Sequence, residues 1–316
     1  MFGDECQNPM TFAMTGGSDM NRKAVALAAA LILFSASAGH ALPPAPIDLS
    51  YATATYTDAM GVVWTNLKGT SGVTQPAGTG VYDPFLRQIA TGNGPHGDNG
   101  IEQGLNTDAT VAEPLDNVGN DPHTHSVLMG SLGVVKVGGV DYFSFTLDLN
   151  EPAGGGGNFL SLDQVKIWTT PNAAGNMLAS VGEVDAAGLL RYDMDAGSGG
   201  NQTVWLDYLN ANTIRDNGSG VDDMEMLIPV SYFAGYAATD YMYFWAQFGA
   251  AGDVLSTTAR ANGRGTTTTT QSYYGEAGFE EWRYQQGTEN VVPEPMSILM
   301  LGGGLAGFIA ARKRKK

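Results

Sequence analysis

Apolar and polar residues alternate with a period of two along most of the chain from 134 to 284. Because successive side chains of a β-strand point to opposite faces of a sheet, this period predicts strands with one buried face. The segment 140–149 is the clearest case, and the preceding Gly138-Gly139 predicts a two-residue hairpin turn to a strand at 134–137. The residues expected on its buried face are Phe143, Phe145, Leu147 and Leu149.

The same alternation predicts further short strands at 160–168, 189–194, 204–208, 224–228, 241–248 and 279–284. In the strand at 189–194, Leu190, Tyr192 and Met194 are expected to point inward. The segment 241–248 is aromatic on both faces, which predicts a strand in the middle of a sheet. One or two edge strands are expected within 50–115. No amphipathic helical pattern longer than about two turns interrupts the strands, so we predict an all-β fold, a β-sandwich or jelly-roll-like single domain.

The N-terminal region has the pattern of an export signal. A short cationic segment at 20–23 precedes an apolar segment at 24–36, and small residues lead up to Ala41. This order is typical of a signal peptide, so we predict one at 20–41 with cleavage after Ala41, or alternatively after Ala38. Residues 1–19 carry acidic side chains, which signal peptides avoid, and we interpret 1–19 as a mis-annotated leader. The secreted domain is then 42–292.

The C-terminal segment 293–316 has three parts in a fixed order. Pro293, Glu294 and Pro295 come first, and an uncharged apolar run at 296–311 follows. That run is close to the length of a membrane-spanning helix and lacks the polar face of a core helix. Cationic residues after such a run keep that end in the cytoplasm. These residues are Arg312, Lys313, Arg314, Lys315 and Lys316.

This tail resembles the PEP-CTERM sorting signal of exosortase substrates in Gram-negative bacteria. The resemblance implies export through the Sec translocon and transient anchoring in the inner membrane by a C-terminal transmembrane helix. It also implies processing by exosortase near Pro293–Pro295 and release to the cell surface or extracellular matrix. Exosortase substrates are usually associated with exopolysaccharide, so exopolysaccharide is the expected partner of the exported domain.

The domain at about 95–284 resembles a recurrent bacterial PEP-CTERM cargo domain of unassigned activity, which supplies no catalytic residues. Its clearest mark is Gly278-Phe-Glu-Glu-Trp282. Supporting segments are Gly100-Ile-Glu-Gln-Gly-Leu-Asn-Thr-Asp108, Val140-Asp-Tyr-Phe-Ser-Phe-Thr-Leu-Asp-Leu149 and Gly218-Ser-Gly-Val-Asp-Asp-Met-Glu-Met-Leu-Ile-Pro229.

Charge and cysteine content narrow the function of this domain. The chain has 16 basic and 32 acidic residues, of which 7 basic and 4 acidic lie in 1–41 and 293–316. The remaining segment carries 9 basic and 28 acidic residues, a net charge of −19. Such a surface excludes nucleic acid as a partner, because phosphates need Lys and Arg. Since the single cysteine is Cys6, the domain has no disulfide, thiolate nucleophile or cysteine metal site.

Three acidic loops are candidates for structural calcium, because short runs of hard carboxylate oxygens suit that ion. One contains Asp193 and Asp195, a second contains Asp216, Asp222 and Asp223, and a third runs from Asp98 through Glu102 to Asp108. The alternative is that these are solvated turns of an acidic protein, in which Asp, Asn and Gly are favoured.

The chain contains neither a Gly-x-Ser-x-Gly nor a His-Glu-x-x-His motif, and we expect no enzymatic activity. The threonine run 266–270 is expected to be a flexible surface loop that could carry O-linked sugars. Two functions remain: a non-enzymatic matrix protein of the biofilm, and a carbohydrate-binding or carbohydrate-active module. Coplanar exposed tryptophans would favour the second, and their burial would favour the first.

Overall fold

The structure is a computed structural model of the whole chain. All the residues it describes belong to one compact unit. No helix among them is long and apolar enough to cross a membrane. The predicted signal peptide and C-terminal transmembrane helix lie outside the described residues. The described residues are 45–51, 54–67, 84–89, 100–112, 114–117, 122–151, 157–197, 200–208, 222–259, 266–276 and 278–287.

The described residues are mostly β-strands, which confirms the predicted all-β class. A single short α-helix among them, α1, spans Val181–Ala187. The strands are β1 Ile47–Asp48, β2 Thr55–Thr57, β3 Val63–Asn66, β4 Leu86–Gln88, β5 Glu102–Leu105, β6 Val127–Leu128, β7 Val134–Val137, β8 Val140–Asp148, β9 Phe159–Thr170, β10 Leu189–Asp193, β11 Val204–Asp207, β12 Met224–Pro229, β13 Tyr241–Phe248, β14 Asp253–Ala259, β15 Thr266–Ser272 and β16 Glu280–Tyr284.

Two sheets of seven strands make up most of the fold. Sheet A has the order β1-β11-β9-β13-β5, with β10 also paired to β9 and β6 to β13. Sheet B has the order β2-β3-β12-β8-β16-β4, with β7 also paired to β8. The predicted central position of the strand at 241–248 is confirmed, because β13 lies between β9 and β5. The predicted edge strands within 50–115 include β2, at the edge of sheet B.

The predicted hairpin around Gly138-Gly139 is confirmed. Strands β7 and β8 pair antiparallel with Val137 opposite Val140. Both glycines have positive φ, +58° and +87°, as the tight turn of a two-residue hairpin requires. The predicted apolar face of β8 is also confirmed, since its four members are buried in the main core. Its opposite face is buried as well, including Asp148 at 1% exposure.

Sheets A and B pack face to face and share one core, the arrangement of a β-sandwich. Phe244 of β13 lies near the middle of this core and is fully buried. Its ring contacts aromatic rings of sheet B, with centroid distances of 5.4 Å to Phe145 and 4.9 Å to Trp282. Phe85, just before β4, contacts Phe244 edge-on at 5.3 Å. The aromatic residues of the alternating pattern therefore hold the two sheets together.

A smaller apolar cluster covers the outer face of sheet A. Trp168 of β9 and Tyr243 of β13 point outward and are fully buried, because α1 packs over them with Val184. Trp168 Nε1 donates a hydrogen bond of 2.8 Å to Asp185 Oδ1 of the same helix. The helix begins at Ser180, whose Oγ accepts a hydrogen bond from the backbone N–H of Glu183.

Two sequence predictions are wrong in detail. The run 266–270 is not a loop but part of β15, which pairs antiparallel with β14. Threonine is β-branched, so a run of it favours a strand over a flexible loop. The strand predicted at 189–194 ends at Asp193, and its pairing with β9 shifts register after Leu190. Leu190 therefore does not point inward as predicted but is 44% exposed, whereas Tyr192 and Met194 are buried.

Candidate functional site

Several predicted site residues lie outside the described residues. These are the cleavage residue Ala41, the loop residue Asp216, the motif Pro293, Glu294 and Pro295, and the basic residues 312–316.

Asp193 and Asp195 organise the turn that follows β10. Asp193 Oδ1 accepts a 3.0 Å hydrogen bond from the backbone N–H of Asp195, and its Oδ2 lies 3.4 Å from Lys166 Nζ. The Asp195 carboxylate accepts hydrogen bonds from Gln164 Nε2 at 2.6 Å and from the backbone N–H of Gln202 at 2.8 Å. Both side chains thus have protein partners, and a calcium ion at this turn stays a prediction.

Asp222 and Asp223 precede β12 in sheet B and also have structural partners. Asp222 forms an ion pair with Arg283 of β16, and it is almost completely buried. Asp223 Oδ2 accepts a 2.8 Å hydrogen bond from the backbone N–H of Leu149. The two predicted aspartate pairs follow or precede strands of different sheets. Neither belongs to a group of three possible metal ligands among the residues that the structure describes.

A different set of carboxylates does come together. Glu102, Glu151 and Glu280 each offer one carboxylate oxygen, and these three oxygens lie within 4.8 Å of one another. Glu102 belongs to β5 of sheet A, and Glu280 begins β16 of sheet B. Glu151 lies in the connection that leaves β8. The acidic loop predicted around Glu102 therefore contributes one residue to a cluster, which we call the glutamate cluster.

Strand register points Glu102 into the interior. It lies opposite Phe248 of β13, whose side chain belongs to the main core. Gly275 packs directly against the Glu102 carboxylate, so that a side chain at position 275 would collide with it. A hydrogen bond of 2.9 Å from Gly275 N to Gly100 O fixes this approach. A small residue at 275 thus makes room for the buried carboxylate.

The motif that begins at Gly278 positions the other two glutamates. Gly278 has a φ of +142° and sits against the backbone carbonyl of Asn150, where only glycine fits. Asn150 Nδ2 in turn donates a 2.9 Å hydrogen bond to Phe279 O. The backbone N–H of Glu276 lies 3.3 and 3.4 Å from the two carboxylate oxygens of Glu151. These contacts join the connection after β8 to the start of β16.

The glutamate cluster is electrostatically unfavourable for free carboxylates. Burial raises the pKa of Glu280 well above its ordinary value, and the nearby charges of Glu102 and Glu151 raise it further. Removing a carboxylate from water disfavours its ionised form, and a like charge nearby has the same effect. A proton on Glu280 or a cation beside it would relieve this repulsion.

Gln88 extends the polar interior next to this cluster. It lies directly opposite Glu280 in the pairing of β4 with β16, and it is fully buried. Its Oε1 sits against Gly104, which shares the inner face of β5 with Glu102. Neither Oε1 nor Nε2 of Gln88 has a hydrogen-bond partner among the described residues. A buried amide without partners costs about 1–3 kcal/mol. We therefore expect the two polar atoms of Gln88 to contact a group that is not part of the protein chain.

A separate pocket of about 250 Å³ opens on the outer face of sheet A. Asp163 Oδ2 accepts hydrogen bonds there from Ser161 Oγ at 2.7 Å and from the backbone N–H of Ala250 at 2.6 Å. Burial raises the pKa of Asp163, although these hydrogen bonds oppose the increase. The pocket is lined by polar side chains and two alanines, which are Asp163, Gln164, Asp195, Asn201, Thr203, Gln247, Ala250 and Ala251.

The five tryptophans form no exposed aromatic platform. Trp64, Trp168 and Trp282 are fully buried, and Trp245 is 7% exposed. Trp205 is half-buried and stacks on Tyr273, with ring centroids 5.0 Å apart and an interplanar angle of 26°. The condition set for the carbohydrate-binding alternative, coplanar exposed tryptophans, is therefore not met.

Sequence reasoning missed Glu151, Glu280 and Gln88 as site residues. One pattern could have identified Glu280: it precedes Trp282 by two residues, so strand alternation places it on the same buried face. A carboxylate at a core-facing strand position is unusual and indicates a paired or metal-binding group. No comparable pattern marks Gln88 or Glu151.

A family model described as the PEP-CTERM protein-sorting motif matches residues 291–315. Among curated proteins, none matches the chain. A crystal structure of a meso-active thermo-stable cellulase, MT Cel12A, derived from the Cel12A cellulase of Rhodothermus marinus, is 12% identical and covers 74% of this chain and 96% of its own. Its TM-score is 0.19, which is too low to support an argument about fold or activity.

Proposed function

We propose, from the premise that the chain carries a PEP-CTERM sorting motif, that it is a non-enzymatic component of the cell surface or extracellular matrix. The motif implies export and exosortase-type sorting. The finer steps belong to the proposal: entry through the Sec translocon, transient anchoring in the inner membrane of a Gram-negative cell, and association with exopolysaccharide in the biofilm.

The observation that carries this proposal is the match at 291–315, because its position agrees with the order of the tail. A residue that precedes proline disfavours the helical conformation, so the segment around Pro293-Glu294-Pro295 would suit a protease that binds an extended substrate. The basic residues 312–316 would hold the far end of the apolar run on the cytoplasmic side. The motif would then lie at the outer membrane interface, beside the exported domain.

The β-sandwich supports a binding or scaffolding role over catalysis. Four of its five tryptophans are buried, and its acidic surface suits a soluble exported protein. The buried glutamates are ill placed for hydrolysis of a polymer, because a polysaccharide cannot reach a closed interior. These features favour a matrix component that contacts sugars weakly or through other partners.

A carbohydrate-binding module is the second candidate, and the pocket on the outer face of sheet A is the observation in its favour. Its carboxylate, amide and hydroxyl groups are the kind that hydrogen-bond sugar hydroxyls. None of the described residues that line this pocket is aromatic, so they offer no ring for stacking on a sugar. Glycan-array binding by the mature protein that is lost on Gln247→Ala would establish this candidate in place of the first.

The sorting part is tested by mass spectrometry of the exported protein from its native host. We expect a mature form that ends near Pro293–Pro295 and is recovered from the surface or extracellular fraction. The control replaces Pro293, Glu294 and Pro295 with alanine, and this variant should keep its C-terminus through Lys316. Recovery of the unaltered protein with Lys316 intact would contradict the proposal.

The matrix part is tested by fractionation. The mature protein should co-purify with exopolysaccharide from wild-type cells and appear free in the medium of cells that make none. Equal amounts in the free fraction of both strains would contradict the association while leaving the sorting result unaffected.

A further inference from the structure

We propose that Glu102, Glu151 and Glu280 bind one calcium ion inside the β-sandwich, with the side-chain oxygen of Gln88 as a further ligand.

The first step of the argument is geometric. Calcium binds oxygen ligands at about 2.3–2.6 Å, so two ligands on opposite sides of the ion are about 4.6–5.2 Å apart. The oxygens of the glutamate cluster lie within 4.8 Å of one another, which is compatible with contact to a single ion. The ligands come from β5, from the connection after β8 and from β16, so one ion would join both sheets.

The second step concerns charge. The charged groups that act on Glu280 are Glu102 and Glu151, both of the same sign. Buried carboxylates of native proteins are paired or coordinate metals, because isolated buried charges are too costly. Arg87 of β4 contacts Glu281 of β16 at 3.8 Å and stacks over Phe279 at 4.3 Å. A divalent cation would offset most of the negative charge.

The third step is independent of the acidic residues. Gln88 is fully buried, lies opposite Glu280, and has no hydrogen-bond partner at either amide atom among the described residues. A neutral amide oxygen is a common calcium ligand, and it explains why a buried glutamine is tolerated at this place.

The donor set decides which ion fits. All the candidate ligands are hard oxygens, whereas zinc sites are usually built with histidine or cysteine. Calcium accepts six to eight oxygens in irregular geometry, and magnesium demands a near-ideal octahedron and keeps several waters. A closed interior that presents three carboxylates and one amide suits calcium better than magnesium.

Burial also separates this site from a pair of hydrolytic carboxylates. Two carboxyl groups about 5 Å apart occur in retaining glycosidases, where they flank an accessible sugar bond. Here the exposed fractions of Glu102, Glu151 and Glu280 are 0%, 3% and 0%. A bare ion can enter such an interior through local opening, but a glycan chain cannot.

The test uses the mature exported protein, first stripped of metal with a chelator. Calcium is then added back. Calorimetry and native mass spectrometry should show that one calcium ion binds per protein, and the melting temperature should be higher with calcium than without it. Glu280→Gln and Glu102→Gln should each weaken calcium binding by about 100-fold or more, since even partners of metal ligands contribute about 10–100-fold. Magnesium and manganese are titrated in parallel and should bind more weakly.

Two controls make the result specific. Glu281→Gln alters the neighbouring residue of β16, which faces away from the glutamate cluster, and should leave calcium affinity unchanged. The double variant Asp193→Asn with Asp195→Asn removes one of the other predicted calcium loops and should also leave calcium affinity unchanged. Native mass spectrometry of the unaltered protein keeps the test decisive if a glutamine variant fails to fold. Three results would each overturn the proposal. They are the absence of bound calcium in the unaltered protein, loss of calcium binding only in the Asp193/Asp195 variant, and tighter binding of magnesium than of calcium.

Discussion

Glu280→Gln should stabilise the metal-free protein at neutral pH. The substitution keeps the size of the side chain and removes one charge from the glutamate cluster. Calcium should reverse the order of stability, because the unaltered protein then gains binding energy that the variant lacks. The same residue is thus unfavourable without the ion and favourable with it.

The size of the effect follows from two limits. At 4.8 Å and an effective dielectric constant of about 20, each pair of charges repels by about 3.5 kcal/mol, so removal of Glu280 relieves two pairs or about 7 kcal/mol. Protonation offers a cheaper state. Keeping a proton at pH 7 on a carboxyl of ordinary pKa 4.5 costs at most about 3.4 kcal/mol. The smaller value governs, and we expect a gain of about 2–3 kcal/mol for the variant.

The pH dependence has a defined sign. The pKa of Glu280 is raised in the folded state, so the folded protein binds more protons than the unfolded chain above pH 4.5. Its stability is therefore highest, with respect to this group, below the unfolded pKa and is lost as pH rises toward the folded pKa. Glu102 and Glu151 face Glu280 directly, and their charges act in the same direction.

Urea unfolding between pH 4.5 and pH 7.5 in excess chelator measures this difference. The free energy of unfolding of the unaltered protein should fall relative to Glu280→Gln across the range. Glu281→Gln serves as the control, because its carboxylate is on the opposite face of β16 and near Arg87. Parallel curves for the unaltered protein and Glu280→Gln would refute the reasoning.

Three further predictions concern packing. Phe244→Ala should lower the free energy of unfolding by about 3–5 kcal/mol in urea titrations, because it opens a cavity between the sheets. The control Tyr56→Ala, on an exposed edge strand, should change the free energy of unfolding by less than about 0.5 kcal/mol. Asp185→Leu should cost about 1–3 kcal/mol and change the tryptophan fluorescence, since it leaves a buried indole N–H without its acceptor. Gly275→Ala should weaken calcium binding in calorimetry by displacing a carboxylate, and Gly182→Ala, which has open space around it, should not.

Much of the fold follows from local sequence. The two-residue alternation identifies β8, and the aromatic residues on both faces of 241–248 identify β13 as a central strand. The glycine pair at 138–139 fixes a hairpin for the same local reason. The polarity of the threonine run at 266–270 predicts a loop, but its β-branched side chains favour the strand that forms there. The predicted inward position of Leu190 is wrong because the pairing of β10 with β9 shifts register after this residue. Such a shift depends on both strands and cannot be read from the alternation within one.

The glutamate cluster could be predicted only in part, because its members meet through tertiary structure. Glu102 lies in a predicted acidic loop and Glu280 lies in the motif Gly278–Trp282, but nothing local links 102, 151 and 280. The sheet orders and the approach of Gly278 to the Asn150 carbonyl bring them together. The close spacing of Asp193 and Asp195 predicts a calcium loop. The structure shows a capped turn at this place, in which Asp193 accepts a hydrogen bond from the backbone N–H of Asp195.

The glutamate cluster also bears on how an exported domain without disulfides keeps its sheets together. The only cysteine of the chain is Cys6, so no disulfide can join sheet A, which carries Glu102, to sheet B, which carries Glu280. An ion held between them would act as a reversible cross-link, whose strength depends on the calcium concentration outside the cell. The acidic interior would then weaken the domain wherever calcium is scarce and tighten it after export. This dependence distinguishes the glutamate cluster from an apolar core, which would be equally stable on both sides of the membrane.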